Sequence, residues 1–237
     1  MPPPVKGVKH LSEVLQAAEE QTSESLRVLI VDDHDLFRTG LRNLLEEQGV
    51  VIVGEAATGA EAVSVVREIA PDVVVMDLNM PGMGGVDATR HITSIAPLTR
   101  VVMLTISEED SDVMDAIMAG ACGYLLKDSS IQDLMAGIRA ASHGESLISP
   151  NIAAKVLQHV RATNTQPEIA NTIRAELSDR EIEVLKLIAN GKDNGVIAAE
   201  LHISPKTVKN HISNILMKLQ IENRIQAAVY AVRSGLV

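Results

Sequence analysis

The chain has 237 residues, enough for one large domain or two ordinary ones, and its formal net charge is −10. It contains one Phe, two Tyr and no Trp, which argues against a protein that stacks single-stranded nucleic acid on aromatic rings. A single cysteine excludes an internal disulfide, and the sequence has neither a secretion signal nor an apolar run of about 18 residues, so we expect a cytoplasmic protein that does not contact a membrane.

Residues 1–25 contain three prolines near the start and then apolar residues at helical spacing. We interpret this segment as an N-terminal extension with one short helix. Beyond it, charge is unevenly distributed. Residues 26–145 hold 8 Lys and Arg against 19 Asp and Glu, whereas residues 177–237 hold 8 against 6. An acidic segment followed by a weakly basic one indicates two domains with different partners.

Residues 26–145 alternate short apolar strands with amphipathic helices. The strands are predicted at residues 28–31, 50–53, 73–76, 101–104 and 124–126. Continuously apolar strands between helices are typical of a parallel sheet that is covered on both faces. The sequence therefore predicts an α/β domain with a doubly wound five-stranded sheet. Such sheets bind ligands beyond the carboxyl ends of their strands.

The rest of the chain contains no further strand pattern. Residues 146–176 are predicted to be a linker with one helix, because Ser149-Pro150 is a typical helix start and a polar stretch follows the helix. Residues 177–237 predict an all-α domain of four helices. Ser178 and Glu181 have the spacing of a capping box at the first helix, and Ser204-Pro205 begins the third.

Three carboxylates follow two of the predicted strands. Asp32 and Asp33 come directly after the first strand, and Asp77 follows the third. The carboxyl ends of these strands are neighbours in a doubly wound sheet, so the acids are expected to share one crevice. A divalent cation would offset their repulsion, and Mg²⁺ suits a site of a few carboxylates and retained waters.

Two more polar residues stand at strand ends. Thr105 ends the fourth strand, and Lys127 follows the fifth. A hydroxyl and an ammonium that face a carboxylate–metal site can bind a phosphoryl group. In this interpretation Asp77 is the nucleophile and carries the phosphoryl group as an acyl phosphate, whose charge Mg²⁺ and Lys127 offset.

The segments VDDHDLFR, DLNMPGMGG, LTISEED and GACGYLLK resemble the CheY-like receiver domains of response regulators. The resemblance implies a flavodoxin-like sheet of strand order 2-1-3-4-5, with Asp77 as the phosphoacceptor. It implies that Mg²⁺ binds Asp32, Asp33, Asp77 and the backbone carbonyl of Asn79. Thr105 and Tyr124 resemble the switch pair of that family, although a tyrosine of an edge strand would give the same pattern at position 124.

The helix predicted after Ser204 has an apolar side, formed by Val208, Ile212, Ile215 and Leu219, and a polar, partly cationic side. A helix with such a polar side fits the major groove of DNA, where Lys reaches guanine and Asn reaches adenine. An ordinary solvated helix shows the same periodicity, so the pattern alone leaves both interpretations open.

The segments LSDREIEVLKLIANG, IAAELHIS, KTVKNHISNILMKL and ENRIQAAVYAVRSGL resemble the LuxR-type helix-turn-helix domain of the NarL/FixJ family. The resemblance implies base contacts from Lys209, Asn210 and Ser213 and phosphate contacts from Lys206, Thr207 and His211. A packed helix histidine is an equal alternative for His211. The last helix has Ile225, Ala228, Val229 and Val232 on one side, which suits either a dimer interface or packing within its own domain.

Together these features predict a two-domain response regulator rather than an enzyme. A sensor histidine kinase or a small phosphodonor phosphorylates Asp77, and the receiver then uncovers the DNA-binding helix. The uncovered protein binds double-stranded DNA as a homodimer and controls transcription.

Two alternatives remain open. A haloacid-dehalogenase-type phosphohydrolase also uses Mg²⁺ and an aspartyl nucleophile, but it needs a second acid two residues later, where this chain has Asn79. The pair Asp33 and Asp35 has that spacing, and Phe37 then departs from the pattern. The other alternative is a DNA-binding regulator that ignores phosphate and uses its receiver as a constitutive dimerisation module.

Overall fold

The structure is a computed structural model that describes residues 25–107, 109–148, 152, 156 and 176–237. The helix predicted within residues 1–25 and most of the predicted linker lie outside the described residues. None of the described helices is both long enough and apolar enough to cross a membrane.

The first domain is the doubly wound α/β sheet that the alternating pattern predicts. Its strands are β1 (Arg27–Val31), β2 (Val51–Ala56), β3 (Val73–Met76), β4 (Arg100–Thr105) and β5 (Gly123–Leu126). Its helices are α1 (Asp35–Glu47), α2 (Gly59–Ile69), α3 (Gly85–Ile95), α4 (Asp110–Met118) and α5 (Ile131–Ser142). All strand pairs are parallel, and the predicted order β2-β1-β3-β4-β5 is confirmed.

A sixth strand extends the sheet beyond the predicted five. β6 (Leu147–Ile148) pairs in parallel with β5, within the segment that the sequence analysis assigned to the linker. Two residues are too few to show a periodic pattern, and their pairing depends on the neighbouring strand. As a result β5 is an interior strand of the sheet.

Both faces of the sheet are buried, as parallel strands require. One face packs under α1 and α5, with Ile30, Val75 and Leu45 in its apolar cluster. The other face packs under α2, α3 and α4, with Met76 and Ile117 in its cluster. Because the helices cover the faces, the carboxyl ends of the strands are left to form a site.

The second domain consists of four helices, as predicted. They are α6 (Asp179–Ala189), α7 (Asn194–Leu201), α8 (Pro205–Leu219) and α9 (Arg224–Arg233). The capping box of Ser178 and Glu181 is present, and Ser204 caps α8 with Pro205 at its first position. The predicted apolar side of α8 is buried in the core of this domain: Val208, Ile212, Ile215 and Leu219.

Helix α9 lies between the two domains. Ala227 and Ala231 belong to the apolar cluster of the helical domain. Ile225 and Val229, on the opposite side, are buried in the same cluster as Ile117 of α4. The apolar side of α9 therefore packs on the first domain, an arrangement that neither of the two sequence-based interpretations of this helix anticipated.

Candidate functional site

The tips of β1, β3 and β5 bring three of the predicted site residues into contact. Lys127 Nζ lies 2.6 Å from Asp32 Oδ2 and 3.0 Å from Asp77 Oδ2. Both carboxylates are buried, with relative exposures of 2% for Asp32 and 4% for Asp77. The ammonium group thus neutralises part of the charge of two acids that come from different strands.

The acids form a set that suits a hard divalent cation. Ligand atoms of Asp32, Asp33, Asp77 and the neighbouring His34 all lie within 4.8 Å of one another. Asp33 Oδ1 lies 2.8 Å from His34 Nδ1, so Asp33 and His34 stand side by side in this set. Asn79 lies in the exposed loop after β3. Carboxylate oxygens are the ligands that Mg²⁺ prefers, and the residues present fit that ion.

Burial and charge act in opposite directions on Asp77. Burial raises the pKa of the Asp77 carboxyl above its ordinary value, while the hydrogen bond and the charge of Lys127 oppose that rise. For Lys127 burial lowers the pKa, but its hydrogen bonds to Asp32 and Asp77 outweigh burial and leave the pKa raised. The lysine therefore remains a cation beside Asp77.

The predicted switch residues share a partner that the sequence analysis missed. Thr105 and Tyr124 are fully buried. The backbone N–H of Ser107 donates to Thr105 Oγ1 at 3.2 Å, and the Tyr124 hydroxyl donates to the Ser107 carbonyl at 3.0 Å. Ser107 also donates its hydroxyl to Asp112 in the first turn of α4, at 2.5 Å. Thr105, Tyr124 and α4 are thereby connected, and Tyr124 is not on an edge strand.

The predicted DNA-contact residues lie on α8. Lys206, Asn210 and Ser213 are exposed, and Thr207, Lys209 and His211 are half-buried. The Thr207 hydroxyl lies 2.9 Å from the hydroxyl of the capping residue Ser204. We expected the first domain to cover α8, but the apolar side that packs on the first domain belongs to α9, and Lys206, Asn210 and Ser213 of α8 are exposed.

A doubly wound sheet with acids, a lysine and a hydroxyl at its strand tips, joined to a helix-turn-helix unit, defines the class of response regulators. Residues 28–139 match the response regulator receiver domain, and residues 175–231 match the luxR family of bacterial regulatory proteins. The chain is 44% identical over 214 residues to the transcriptional regulatory protein LiaR of Bacillus subtilis, across 90% of this chain and 99% of LiaR. It therefore belongs to the two-component response regulators that act as transcription regulators.

Solved structures agree with this assignment. A LuxR-family response regulator from Aurantimonas sp. SI85-9A1 is 38% identical, covers 59% of this chain and 100% of its own, and has a TM-score of 0.55. The response regulator RcsB in complex with DNA is 26% identical, covers 87% of this chain and 98% of its own, and has a TM-score of 0.52. Receiver domains bind Mg²⁺ at an acidic pocket, and the acids of this chain form such a cluster.

Proposed function

We propose that Asp77 accepts a phosphoryl group from a sensor histidine kinase or a small phosphodonor. A carboxylate oxygen of Asp77 attacks the phosphorus atom, and the donor leaves with the electron pair of the broken bond, so an acyl phosphate forms. Mg²⁺ held by Asp32, Asp33, Asp77 and the Asn79 carbonyl would offset charge on the phosphoryl oxygens. The proposal rests above all on the contact of Lys127 with both Asp32 and Asp77.

The exposed side of α8 is the proposed surface for double-stranded DNA. In this arrangement Lys209, Asn210 and Ser213 reach base edges in the major groove, and Lys206, Thr207 and His211 contact phosphates. A transcription regulator acts where chromosomal DNA lies, and we assign the chain to the cytoplasm.

Control is proposed to act through the buried contact between α9 and α4. The Asn223 side-chain nitrogen donates to the carbonyl of Ala121 at 3.0 Å, and the Gln226 side-chain nitrogen donates to the carbonyl of Ile117 at 2.8 Å. Both side chains are buried, at 2% and 7% exposure. These amide groups, which we call the α9 clamp (Asn223 and Gln226), donate to one carbonyl in the last turn of α4 and to one in the loop that follows it.

The same helix connects the clamp to the phosphoacceptor pocket. The first turn of α4 is bonded to Ser107, which also contacts Thr105 and Tyr124. A movement of the Thr105 hydroxyl toward a phosphoryl group would alter the Ser107 contacts and shift α4. Since the clamp depends on the position of α4, phosphorylation would release α9. The freed apolar side of α9, with Ile225 and Val229, then becomes available for a homodimer on DNA.

The test is phosphodonor labelling of the full chain with Mg²⁺. Acetyl phosphate should label the protein at one site, and Asp77→Asn should abolish the label because the nucleophilic oxygen is replaced by an amide nitrogen. Asp87→Asn removes an exposed acid of α3 and should label normally. Retained label on Asp77→Asn would remove Asp77 from this role.

DNA binding distinguishes control by phosphate from the phosphate-independent alternative. The amount of genomic DNA that the native chain retains should increase when phosphodonor is added. The amount that Asp77→Asn retains should not change. Equal DNA retention by the native chain and by Asp77→Asn, each with and without phosphodonor, would favour a constitutive regulator.

A further inference from the structure

Phe37 lies against Lys127, the lysine of the proposed phosphoacceptor site. It is the only phenylalanine of the chain and lies in the first turn of α1, directly after the acidic loop. The centroid of its ring is 4.5 Å from Lys127 Nζ. That distance is within the range of about 6 Å in which the face of an aromatic ring attracts a cation.

The ammonium of Lys127 is enclosed by three groups. Asp32 and Asp77 contact it at 2.6 and 3.0 Å, and the Phe37 ring covers a further side. Only 12% of the Lys127 side chain remains exposed. A lysine normally has a flexible four-carbon stem and a strongly hydrated head, so a site that needs the charge at one point must restrain it.

The two kinds of restraint differ in what phosphorylation does to them. The carboxylate of Asp77 changes its charge and shape when it becomes an acyl phosphate, and the contact with Lys127 must be remade to a phosphoryl oxygen. The ring takes no part in that exchange. It attracts the ammonium before and after the step, and it accepts no proton.

We propose that Phe37 is a positioning residue for phosphoryl transfer to Asp77, because its ring holds the ammonium of Lys127 beside the attacked group. This inference depends on the proposed function of Asp77. The competing role is apolar packing alone, since Phe37 also packs against the cluster of Leu41 and Leu45 under α1.

The first test compares Phe37→Leu, which keeps apolar volume but removes the ring, with Phe37→Tyr, which keeps the ring. The rate of labelling by acetyl phosphate with Mg²⁺ is measured on the full chain. We expect Phe37→Leu to label roughly 3- to 10-fold more slowly and Phe37→Tyr to stay within about twofold of the native rate. Equal slowing of both variants would overturn the proposal.

The second test is a double-mutant cycle with Lys127→Gln, which removes the cation. Without a cation the ring has nothing to position, so Phe37→Leu should change the labelling rate by less than about 1.5-fold in that background. If Phe37→Leu slows labelling by the same factor with and without the lysine, the ring only packs and the proposal fails.

A stability cycle covers the case in which Lys127→Gln labels too slowly to measure. The shift of the urea midpoint caused by Phe37→Leu should be larger with Lys127 than with Gln at that position. Identical shifts would overturn the proposal. Failure of the proposed function gives a different signature, namely retained label on Asp77→Asn with the native Phe37 in place.

Discussion

Glu181 shows how one buried carboxylate links two helices of the helical domain, α6 and α8. The backbone N–H and the hydroxyl of Ser178 each donate to Glu181 Oε2 at 2.8 Å, and Lys218 Nζ of α8 donates to the same oxygen at 2.7 Å. Burial tends to raise the pKa of Glu181, but the hydrogen bonds of Lys218 and Ser178 outweigh burial and hold the pKa below its ordinary value. The charge of Glu181 therefore ties the start of α6 to the last turn of α8.

The first prediction at this scale concerns Glu181→Gln. Loss of charge-assisted hydrogen bonds should lower the free energy of unfolding of the helical domain by about 1–3 kcal/mol at pH 7. Because the folded-state pKa of Glu181 is depressed, its contribution is present above the unfolded pKa and is lost as the pH falls toward the folded pKa. Urea unfolding at neutral pH and at about pH 4 should show the difference between native and variant shrinking.

The matched control is Glu183→Gln, which removes a half-exposed carboxylate paired with Arg180 on the same helix. Surface ion pairs contribute little, so we expect a change below about 0.5 kcal/mol at either pH. A pH-independent loss in Glu181→Gln would mean that its side chain matters for packing rather than for charge.

Sequence reasoning found the residues at strand tips and missed those that depend on packing. Asp32, Asp77 and Lys127 were predictable because parallel strands end at one edge of a sheet. Ser107 and Phe37 gave no such signal. Whether a ring reaches a lysine depends on how α1 lies against the sheet, and apolar spacing specifies the buried side of a helix but not its angle.

At the level of elements, the start of α3 is pressed against Asp77 and Leu78, the residues that directly follow β3. A Cβ atom on Gly85 would lie 2.1 Å from the carbonyl oxygen of Asp77 and 2.9 Å from the Cα atom of Leu78. The backbone N–H of Gly85 donates to the carbonyl of Leu78 at 2.8 Å. Only a residue without a side chain lets α3 begin this close to the loop that carries Asp77.

The prediction for this element is that Gly85→Ala pushes α3 away from the Asp77 backbone. We expect a loss of about 1–3 kcal/mol in the free energy of unfolding, together with slower labelling of Asp77 by acetyl phosphate. The control is Gly40→Ala in α1, where no atom lies within 4 Å of the added Cβ. That change should stabilise the protein by roughly 0.5–1 kcal/mol, because alanine favours helix. If Gly85→Ala and Gly40→Ala change the free energy of unfolding in the same direction, the close approach at Gly85 does not matter.

Element-level prediction succeeded where patterns were long. Five strands and the helices between them follow from periodicity over many residues, whereas β6 has two residues and acquires its structure from β5. The apolar side of α9 was visible in the sequence, but Ile225 and Val229 do not encode their partner. Apolar burial is not directional, so these residues could pack on a second copy, on their own domain or on the receiver. The fold shows that they pack on the receiver.

At the scale of the whole molecule, the described residues form two domains that share α9. The receiver covers the apolar side of this helix, while Lys206, Asn210 and Ser213 of α8 are exposed. A second polar contact supports the α9 clamp, since Asn194 donates to Glu145 of the receiver at 2.9 Å and accepts from Arg224. In the proposed mechanism the receiver would regulate by holding α9 rather than by blocking the proposed DNA surface of α8.

The molecular-scale prediction uses Asn223→Asp. Asp keeps the side-chain oxygen that caps α9 by accepting from the Gln226 backbone N–H, but it loses the nitrogen that donates to Ala121 and brings a negative charge against the Ala121 carbonyl. We expect the domains to separate without phosphodonor, seen as a larger radius of gyration in X-ray scattering and faster amide hydrogen exchange along α9.

Its control is Gln220→Glu, which adds the same charge at an exposed position of the helical domain. That variant should scatter like the native chain. If Asn223→Asp stays compact and its α9 amides remain protected, the α9 clamp does not hold the domains together.

The double use of Asn223 has a consequence for how fast the regulator can respond. The side-chain oxygen of Asn223 caps α9, and its side-chain nitrogen donates a hydrogen bond to the receiver. Separation of the receiver from α9 would therefore leave the hydrogen bond that caps α9 intact. In the proposed mechanism the helix-turn-helix unit would therefore separate as a rigid body, and the response would require no refolding of α9.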